Sequence, residues 1–475
     1  GVPALINRLR ENGVRVEGVN LPMEQKLNPR FSLERWLAQR QAARVVLIDL
    51  HWYEHCYGAI SVANVCRDVL PNARTVLGGL TASAFSDEIL RHFPAVDFII
   101  RGDAEMPLAM LVQHLLDSDP NAGATSASDL SAIPNLSYRE DGCVVENAQT
   151  YCAASSDLDT LNFVDIDFLV HHDAYYGHEY IVTDLEAVRA AEDKSAYRGR
   201  WLCTARGCRY ECSYCGGCRS AHKALAGRDG IVPRSPARMV EDLARLEAAG
   251  VTQASLSYDI SELGEAYWRD LFAGIRDRGV KIGLYNECFQ DPSPQFVEDF
   301  VRSVDMAHAC LALSPLSGSE EVRRLNGKRY SNAQLFNTLD LLNLYNMPIF
   351  VYFSLNLPGE TEETFKETLA LAERVYTYYP PSLLKILTSC HTIDPKSPMS
   401  QHAEAYGITV DMMTFMDYYA YCRDTQVAGP EALTGVHRGF ATCDPEARDL
   451  AAMAKAWDAA RAGREGSWWP VPPSW

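Results

Sequence analysis

The chain has 475 residues, 47% hydrophobic and 22% charged, with 30 Gly and 24 Pro, which is ordinary globular usage and excludes a disordered or fibrous chain of this length. Its 62 acidic against 44 basic residues give a formal charge of -18, which repels phosphate backbones and argues against a nucleic-acid partner. No apolar run reaches the roughly 18 residues of a membrane span and no signal peptide opens the chain, so a cytoplasmic protein with no membrane partner is expected.

Residues 1–125 alternate helical and strand patterns. Residues 3–12 are amphipathic, 14–20 short and β-rich, and 31–41 helical. The run 43–50 is continuously apolar, as a strand buried on both faces requires. There follow a helix at 58–69, a strand at 75–77 ending in Gly78-Gly79, a helix at 86–92, a strand at 96–101 and a helix from Pro107. This βαβα order predicts a doubly wound, Rossmann-like parallel sheet with its ligand outside the carboxyl ends of the strands. The pattern opens inside a helix, and a first strand is expected upstream.

Residues 126–195 read as a connector. A small polar stretch at 119–129 leads into it, and it carries a hairpin around Asp141-Gly142 with arms at 136–138 and 144–145. Over 196–390 the alternation resumes. Strands are predicted at 201–204, 253–258, 281–285, 307–313, 349–355 and 383–387. Helices are predicted at 238–249, 266–278, 294–304, 332–345 and 364–376. Six such units make a partial (β/α)6 barrel rather than a closed eight-unit one. Residues 391–475 read as a mostly helical extension, whose Trp- and Pro-rich tail from 468 has too few elements to be a domain.

Cysteine is the unusual residue, with 14 in the chain and five between Cys203 and Cys218. In a reducing compartment such a cluster points to metal or redox chemistry before disulfides. A structural zinc site takes two ligand pairs, and no second C-x-x-C or His pair stands at finger-like spacing. A ferredoxin-like carrier would use Cys212, Cys215 and Cys218 but lacks the fourth Cys followed by Pro. A third reading takes Cys208, Cys212 and Cys215, spaced C-x3-C-x2-C with Tyr214 before the last.

That third reading resembles the radical S-adenosylmethionine (SAM) superfamily. The resemblance implies a 4Fe-4S cluster on Cys208, Cys212 and Cys215, whose open iron chelates SAM, with Cys203 and Cys218 outside the pattern. Tyr214, Gly216-Gly217 and Ser314 fall at cofactor-binding positions, the glycines permitting close backbone approach. Arg234-Ser235-Pro236, Ser314-Pro315, Arg323-Arg324 and Asn326-Gly327-Lys328 follow in the family's order. Leu357-Pro358-Gly359-Glu360-Thr361 resembles its Gly-Leu-Pro-Gly-Glu-Thr turn, with Asn356 in place of the first glycine. Tyr258, Asp259, Tyr285, Asn286 and Glu287 stand at strand ends, where a barrel builds its active site, and Tyr258, Tyr285 and Glu287 are the candidate catalytic residues.

The first region has no G-x-G-x-x-G after a strand and instead resembles the cobalamin-binding domain joined to one group of these enzymes. Candidate cobalamin-binding residues are His51, Trp52 and Tyr53, then Gly78, Gly79, Thr81 and Ser83, then Gly102, Asp103 and Glu105. Asp49-Leu50-His51 begins like the D-x-H-x-x-G loop that puts a histidine under cobalt, but Glu54 replaces the glycine. Packing of Trp52 or Tyr53 near the lower face is favoured over coordination by His51 or His55.

The resemblance implies methylation of an unactivated carbon of a small biosynthetic intermediate, by way of methylcobalamin and a deoxyadenosyl radical. It also implies an external one-electron reductant of the flavodoxin or ferredoxin type. A rearrangement, ring contraction or cyclisation without methyl transfer is the alternative, and a cobalamin-binding sensor or carrier with a structural cluster is a second. The substrate itself is not legible in the residues.

Overall fold

The structure is a computed structural model and describes residues 1–118, 130–181, 196–428, 439–443 and 448–470. The polar stretch 119–129 lies outside the described residues.

Two parallel systems are stacked against one another. The first sheet has the order β1 (Val45–Asp49), β2 (Arg74–Gly78), β3 (Phe98–Ile100), β4 (Leu136–Glu140), β5 (Cys143–Glu146). Strands β1 to β3 run parallel, with Asp49 opposite Gly78 and Gly78 opposite Ile100. The loops that start at residues 50, 79 and 101 therefore open at one carboxyl edge. The hairpin read as part of a connector instead completes this sheet, with Ile99 opposite Ser137 across an antiparallel pair.

Two local expectations fail for identifiable reasons. Val45 to Ile48 are half-buried rather than enclosed, because β1 is the sheet edge; Leu47 and Val46 pack against separate clusters on its two faces. Residues 14–20 form no strand, only one bridge from Gly18 to Leu169. Asn20 accepts the Met23 N–H at 3.0 Å and caps a helix at Leu21–Leu27 with proline in its first turn, turning the chain where a β pattern would continue.

The second system contains β6 (Gly199–Leu202), β9 (Gln253–Leu256), β10 (Gly283–Cys288), β11 (Cys310–Leu316), β12 (Ile349–Leu355) and β13 (Leu384–Cys390). They lie side by side in chain order and all parallel, the partial barrel the sequence predicts. Side chains alternate across it: Leu284 joins Phe272 and Phe296 under the helices, while Tyr285 joins Cys310 and Phe350 on the inner face. Between β6 and β9 the short strands β7 (Ala205–Gly207) and β8 (Ile231–Pro233) pair antiparallel and bracket the cysteine loop.

The extension holds the two systems together. Helix Phe415–Ala428 packs onto the first unit, with Tyr418 5.1 Å from Tyr53 and Phe415 5.8 Å from Phe85 between ring centroids. A small antiparallel pair, β14 (Ile408–Val410) and β15 (Phe440–Thr442), flanks it. The described start of the Trp-rich tail, residues 468–470, packs onto the barrel. Ile386 N–H donates to Ser467 O at 2.7 Å and Trp469 N–H to Ile386 O at 2.9 Å, extending the β13 edge. Trp468 is fully enclosed and meets Trp457 at 5.1 Å. Trp468→Ala is expected to cost about 3–5 kcal/mol of stability, read as a lower denaturant midpoint. No helix among the described residues is long and apolar enough to cross a membrane.

Candidate active site

Cys208, Cys212 and Cys215 occupy one loop between β7 and helix Arg219–Ala226. Backbone N–H groups already point at the sulfurs: Tyr210 N–H donates to Cys208 Sγ at 3.4 Å and Gly217 N–H to Cys215 Sγ at 3.3 Å. Burial pushes all three thiols above their ordinary value, opposed at Cys212 by the Lys328 ammonium. Three thiolates in such a place require bound positive charge, and N–H donors to sulfur are what an iron-sulfur cluster uses. Among the described residues no three His, Cys, Asp or Glu side chains converge on a single-ion site. Gly327, at φ +93°, lies over the loop, where a Cβ would come 3.1 Å from Cys212 Sγ.

The two flanking thiols turn elsewhere. Cys218 is buried, with its Sγ 3.2 Å from Ser220 Oγ, and Cys203 Sγ donates to Ala205 O at 3.6 Å.

Inside the barrel, Ser314 Oγ donates to Glu287 Oε1 at 3.1 Å, so two separately predicted residues meet. Tyr285 lies beside Glu287 and Tyr352, and burial pushes its hydroxyl far above the ordinary tyrosine value. Tyr258 stands next to Cys208 with its ring 5.0 Å from Phe289, and its buried hydroxyl faces the Cys208 sulfur. Asp259 accepts from Ser261 N–H at 3.0 Å, Asn286 Nδ2 at 3.1 Å and Phe289 N–H at 2.7 Å, tying two strand ends together. Burial raises its carboxyl to about 6.

At the edge of the first sheet, Gly79 has φ +116°, and a Cβ there would stand 2.5 Å from Leu50 O. That contact brings the His51 loop against the Thr81 turn, where Thr81 N–H and Oγ1 both donate to His51 O at 3.0 Å. Burial lowers His51 to about 4, leaving a neutral imidazole. Trp52 is 41% exposed and reaches the cysteine loop: a Cβ on Gly217 would sit 3.5 Å from its Cη2 and 3.7 Å from Cys215 Sγ. His51, Trp52, Thr81, Gly216, Asp394 and Pro395 line one narrow cleft at the junction of the two units.

Other predicted residues face away from that cleft. Tyr53 is buried and hydrogen-bonds Thr392, so Trp52 alone of the pair is presented. Gly78 ends β2, and Ser83 Oγ accepts Gly102 N–H at 2.9 Å while donating to Gly79 O at 2.7 Å. Asp103 and Glu105, expected along a nucleotide tail, are engaged by arginines from the second unit. Asp103 pairs with Arg206 at 3.1 Å and with Arg228, and Glu105 pairs with Arg206. Gly327 belongs to the Asn326-Gly327-Lys328 motif, while His391 and Asp394, beside the cysteine loop, stand outside the motifs legible in the sequence. His391 and Asp394 follow the end of β13, as Tyr258 and Asp259 follow β9, whereas Asn286 and Glu287 lie within the carboxyl end of β10.

The Leu357–Thr361 turn carries a pH-dependent charge. Asn356 takes φ +67°, which explains why it can stand where the family has glycine. Its N–H donates to Glu360 Oε2 at 2.9 Å, while Oε1 has no partner. Burial raises Glu360 from 4.5 to about 7, partly offset by Arg448. The unfolded chain releases this proton first, so stability falls as pH rises between those values. Glu360→Gln removes that loss, and its thermal midpoint relative to the parent is expected to gain a few degrees between about pH 4.5 and about pH 8.

Residues 202–372 match the Radical SAM superfamily, so the chain carries a radical SAM domain, a fold that holds a 4Fe-4S cluster and SAM. Among solved structures, the fold is shared with the radical S-adenosylmethionine methyltransferase TsrM from Kitasatospora setae. That match has TM-score 0.64 and 16% identity, over 86% of this chain and 75% of that one; TsrM has been solved with cobalamin and a [4Fe-4S] cluster bound. The cobalamin-dependent enzyme OxsB matches at TM-score 0.50 and 14% identity, over 83% of this chain and 48% of that one. Among curated proteins, the anaerobic magnesium-protoporphyrin IX monomethyl ester cyclase of Cereibacter sphaeroides is 24% identical over 80% of this chain and 55% of its own length. The tRNA-2-methylthio-N(6)-dimethylallyladenosine synthase of Nocardia farcinica is 24% identical over 66% of each chain. The chain spans about half the length of the cyclases it matches.

Proposed function

We propose that the chain is a cobalamin-dependent radical SAM enzyme that methylates an unactivated carbon of a small molecule. The carrying observation is the approach of Trp52 to Gly217, two residues beyond Cys215, which joins the carboxyl edge of the first sheet and the cysteine loop in one cleft. When bound, SAM on the reduced cluster supplies a deoxyadenosyl radical and cobalamin supplies the methyl group.

The chain's own residues then have separable tasks. The tight Gly79 to Ser83 turn holds the His51 loop in place through Thr81, whose N–H and Oγ1 both donate to His51 O. Neutral His51 and the Trp52 ring form an uncharged wall of the cleft. Glu287, held by Ser314, offers the barrel interior a carboxylate, with Tyr285, Tyr352 and Phe350 as its aromatic surround. The fold of TsrM, solved with tryptophan bound, supports an aromatic or small-molecule substrate.

The test is anaerobic reconstitution with iron, sulfide and hydroxocobalamin, followed by incubation with methyl-deuterated SAM, a small-metabolite extract and titanium(III) citrate as the one-electron reductant. Methyl transfer gives one S-adenosylhomocysteine and one deoxyadenosine per deuterated product. Cyclisation or rearrangement, favoured by the cyclase relatives, gives deoxyadenosine without S-adenosylhomocysteine. A sensor or carrier cleaves no SAM.

A further inference from the structure

The segment after β13 grips the cysteine loop on both sides of Cys215. Met399 N–H donates to Ser213 O at 2.9 Å. The His391 ring stacks on Tyr214 with centroids 4.2 Å apart and planes at 21°. Gly216 N–H donates to Asp394 Oδ2 at 2.9 Å. The fit leaves no space for a side chain at Gly216, where a Cβ would stand 2.8 Å from Pro395 O and 3.0 Å from Asp394 Cβ.

We propose that Asp394 is a positioning residue of the cluster, fixing the Gly216 backbone and holding a carboxylate beside the Cys215 sulfur so that the cluster's reduction potential is kept low. The inference rests on the reading of Cys215 as a cluster ligand. Two consecutive N–H groups follow that ligand and go to opposite kinds of acceptor. Gly217 donates to the Cys215 sulfur itself, which disperses negative charge and favours the reduced cluster. Gly216 donates to Asp394 instead, so one potential sulfur donor is withheld and a negative side chain is brought near. Burial raises the Asp394 carboxyl to about 7, opposed by the Gly216 N–H, so above that pH the group is ionised, with Oδ2 2.9 Å from the nitrogen of the peptide that links Cys215 to Gly216. Adding an electron next to a fixed anion is unfavourable, so both effects of Asp394 act in the same direction. A low potential suits a cluster that must pass an electron into a sulfonium.

The reconstituted parent, Asp394→Asn and Asp394→Ala proteins are compared at about pH 8.5, above the value of about 7 to which burial raises the Asp394 carboxyl, with circular dichroism as the check on folding. Titration with titanium(III) citrate, monitored by electron paramagnetic resonance, measures the potential: each titanium(III) gives one electron to one cluster and becomes titanium(IV). Asp394→Asn keeps an oxygen for the Gly216 N–H and loses the charge, so it is expected to retain its iron and titrate at a higher potential. Asp394→Ala also frees the loop and is expected to release iron to bathophenanthroline several-fold faster. An unchanged potential in Asp394→Asn, loss of its iron, or parent-like iron release from Asp394→Ala overturns the proposal. A parent that takes up no iron overturns the cluster reading and this inference with it, an outcome distinct from all three.

Discussion

Cys208→Ala, Cys212→Ala and Cys215→Ala are each expected to lose the iron and reduce SAM cleavage below detection, whereas Cys218→Ala keeps a substantial fraction of both. The three differ from the fourth in what surrounds them. Cys208 and Cys215 each receive a backbone N–H, and Cys212 lies under Gly327 and near the Lys328 ammonium. Cys218 sits at the N-terminus of helix Arg219–Ala226 with Ser220 beside its sulfur. Removing one of three thiolates leaves a cluster with two protein ligands and a water-accessible edge, and no other cysteine stands in the C-x3-C-x2-C pattern to replace it. Iron and sulfide analysis together with deoxyadenosine yield checks this. Iron lost only from Cys218→Ala would instead support the trio Cys212, Cys215 and Cys218.

The second large effect is at the junction of the two units. Asp103→Ala is expected to cost about 3–5 kcal/mol, because removing one partner of a buried ion pair leaves the other charge uncompensated. Arg228, with a side chain 3% exposed, pairs with Asp103 and donates to Ala153 O at 2.9 Å. Arg206 bridges Asp103 and Glu105. Asp103 also accepts the Ala153 N–H at 2.8 Å. Burial pushes the Asp103 carboxyl up, but the two arginines outweigh it and hold it below its ordinary value of 3.8. This contribution is therefore present at neutral pH and is lost as pH falls through that range. Denaturant unfolding of Asp103→Ala measures the cost. Glu105→Gln is expected to cost less, since Arg206 keeps Asp103.

These two sites also mark where the sequence could and could not be read. The cysteine trio is legible because its chemistry is local: three ligands within eight residues need no distant partner to be recognised. The barrel strands are legible for a similar reason, since the apolar runs at β11 and β12 are buried along their length. Asp103 and Glu105 looked like nucleotide ligands because they open a helix after a strand, and nothing near them in sequence reveals Arg206 and Arg228. The same holds for Trp468, whose polar, proline-rich surroundings hide a fully enclosed ring. Asp394 is hidden because it lies beyond the barrel boundary at residue 390, although the strand-end rule that points to Tyr258 and Glu287 reaches it.

The central claim is that the proposed cobalamin and cluster meet at the junction where the Trp52 loop touches Gly217. The most direct measurement is electron paramagnetic resonance of protein holding both cob(II)alamin and the reduced cluster. The account predicts a spectrum split or broadened by spin coupling between the two centres, absent when either is omitted. A spectrum equal to the sum of two isolated centres, or protein that binds the cluster but retains no cobalamin, would contradict it.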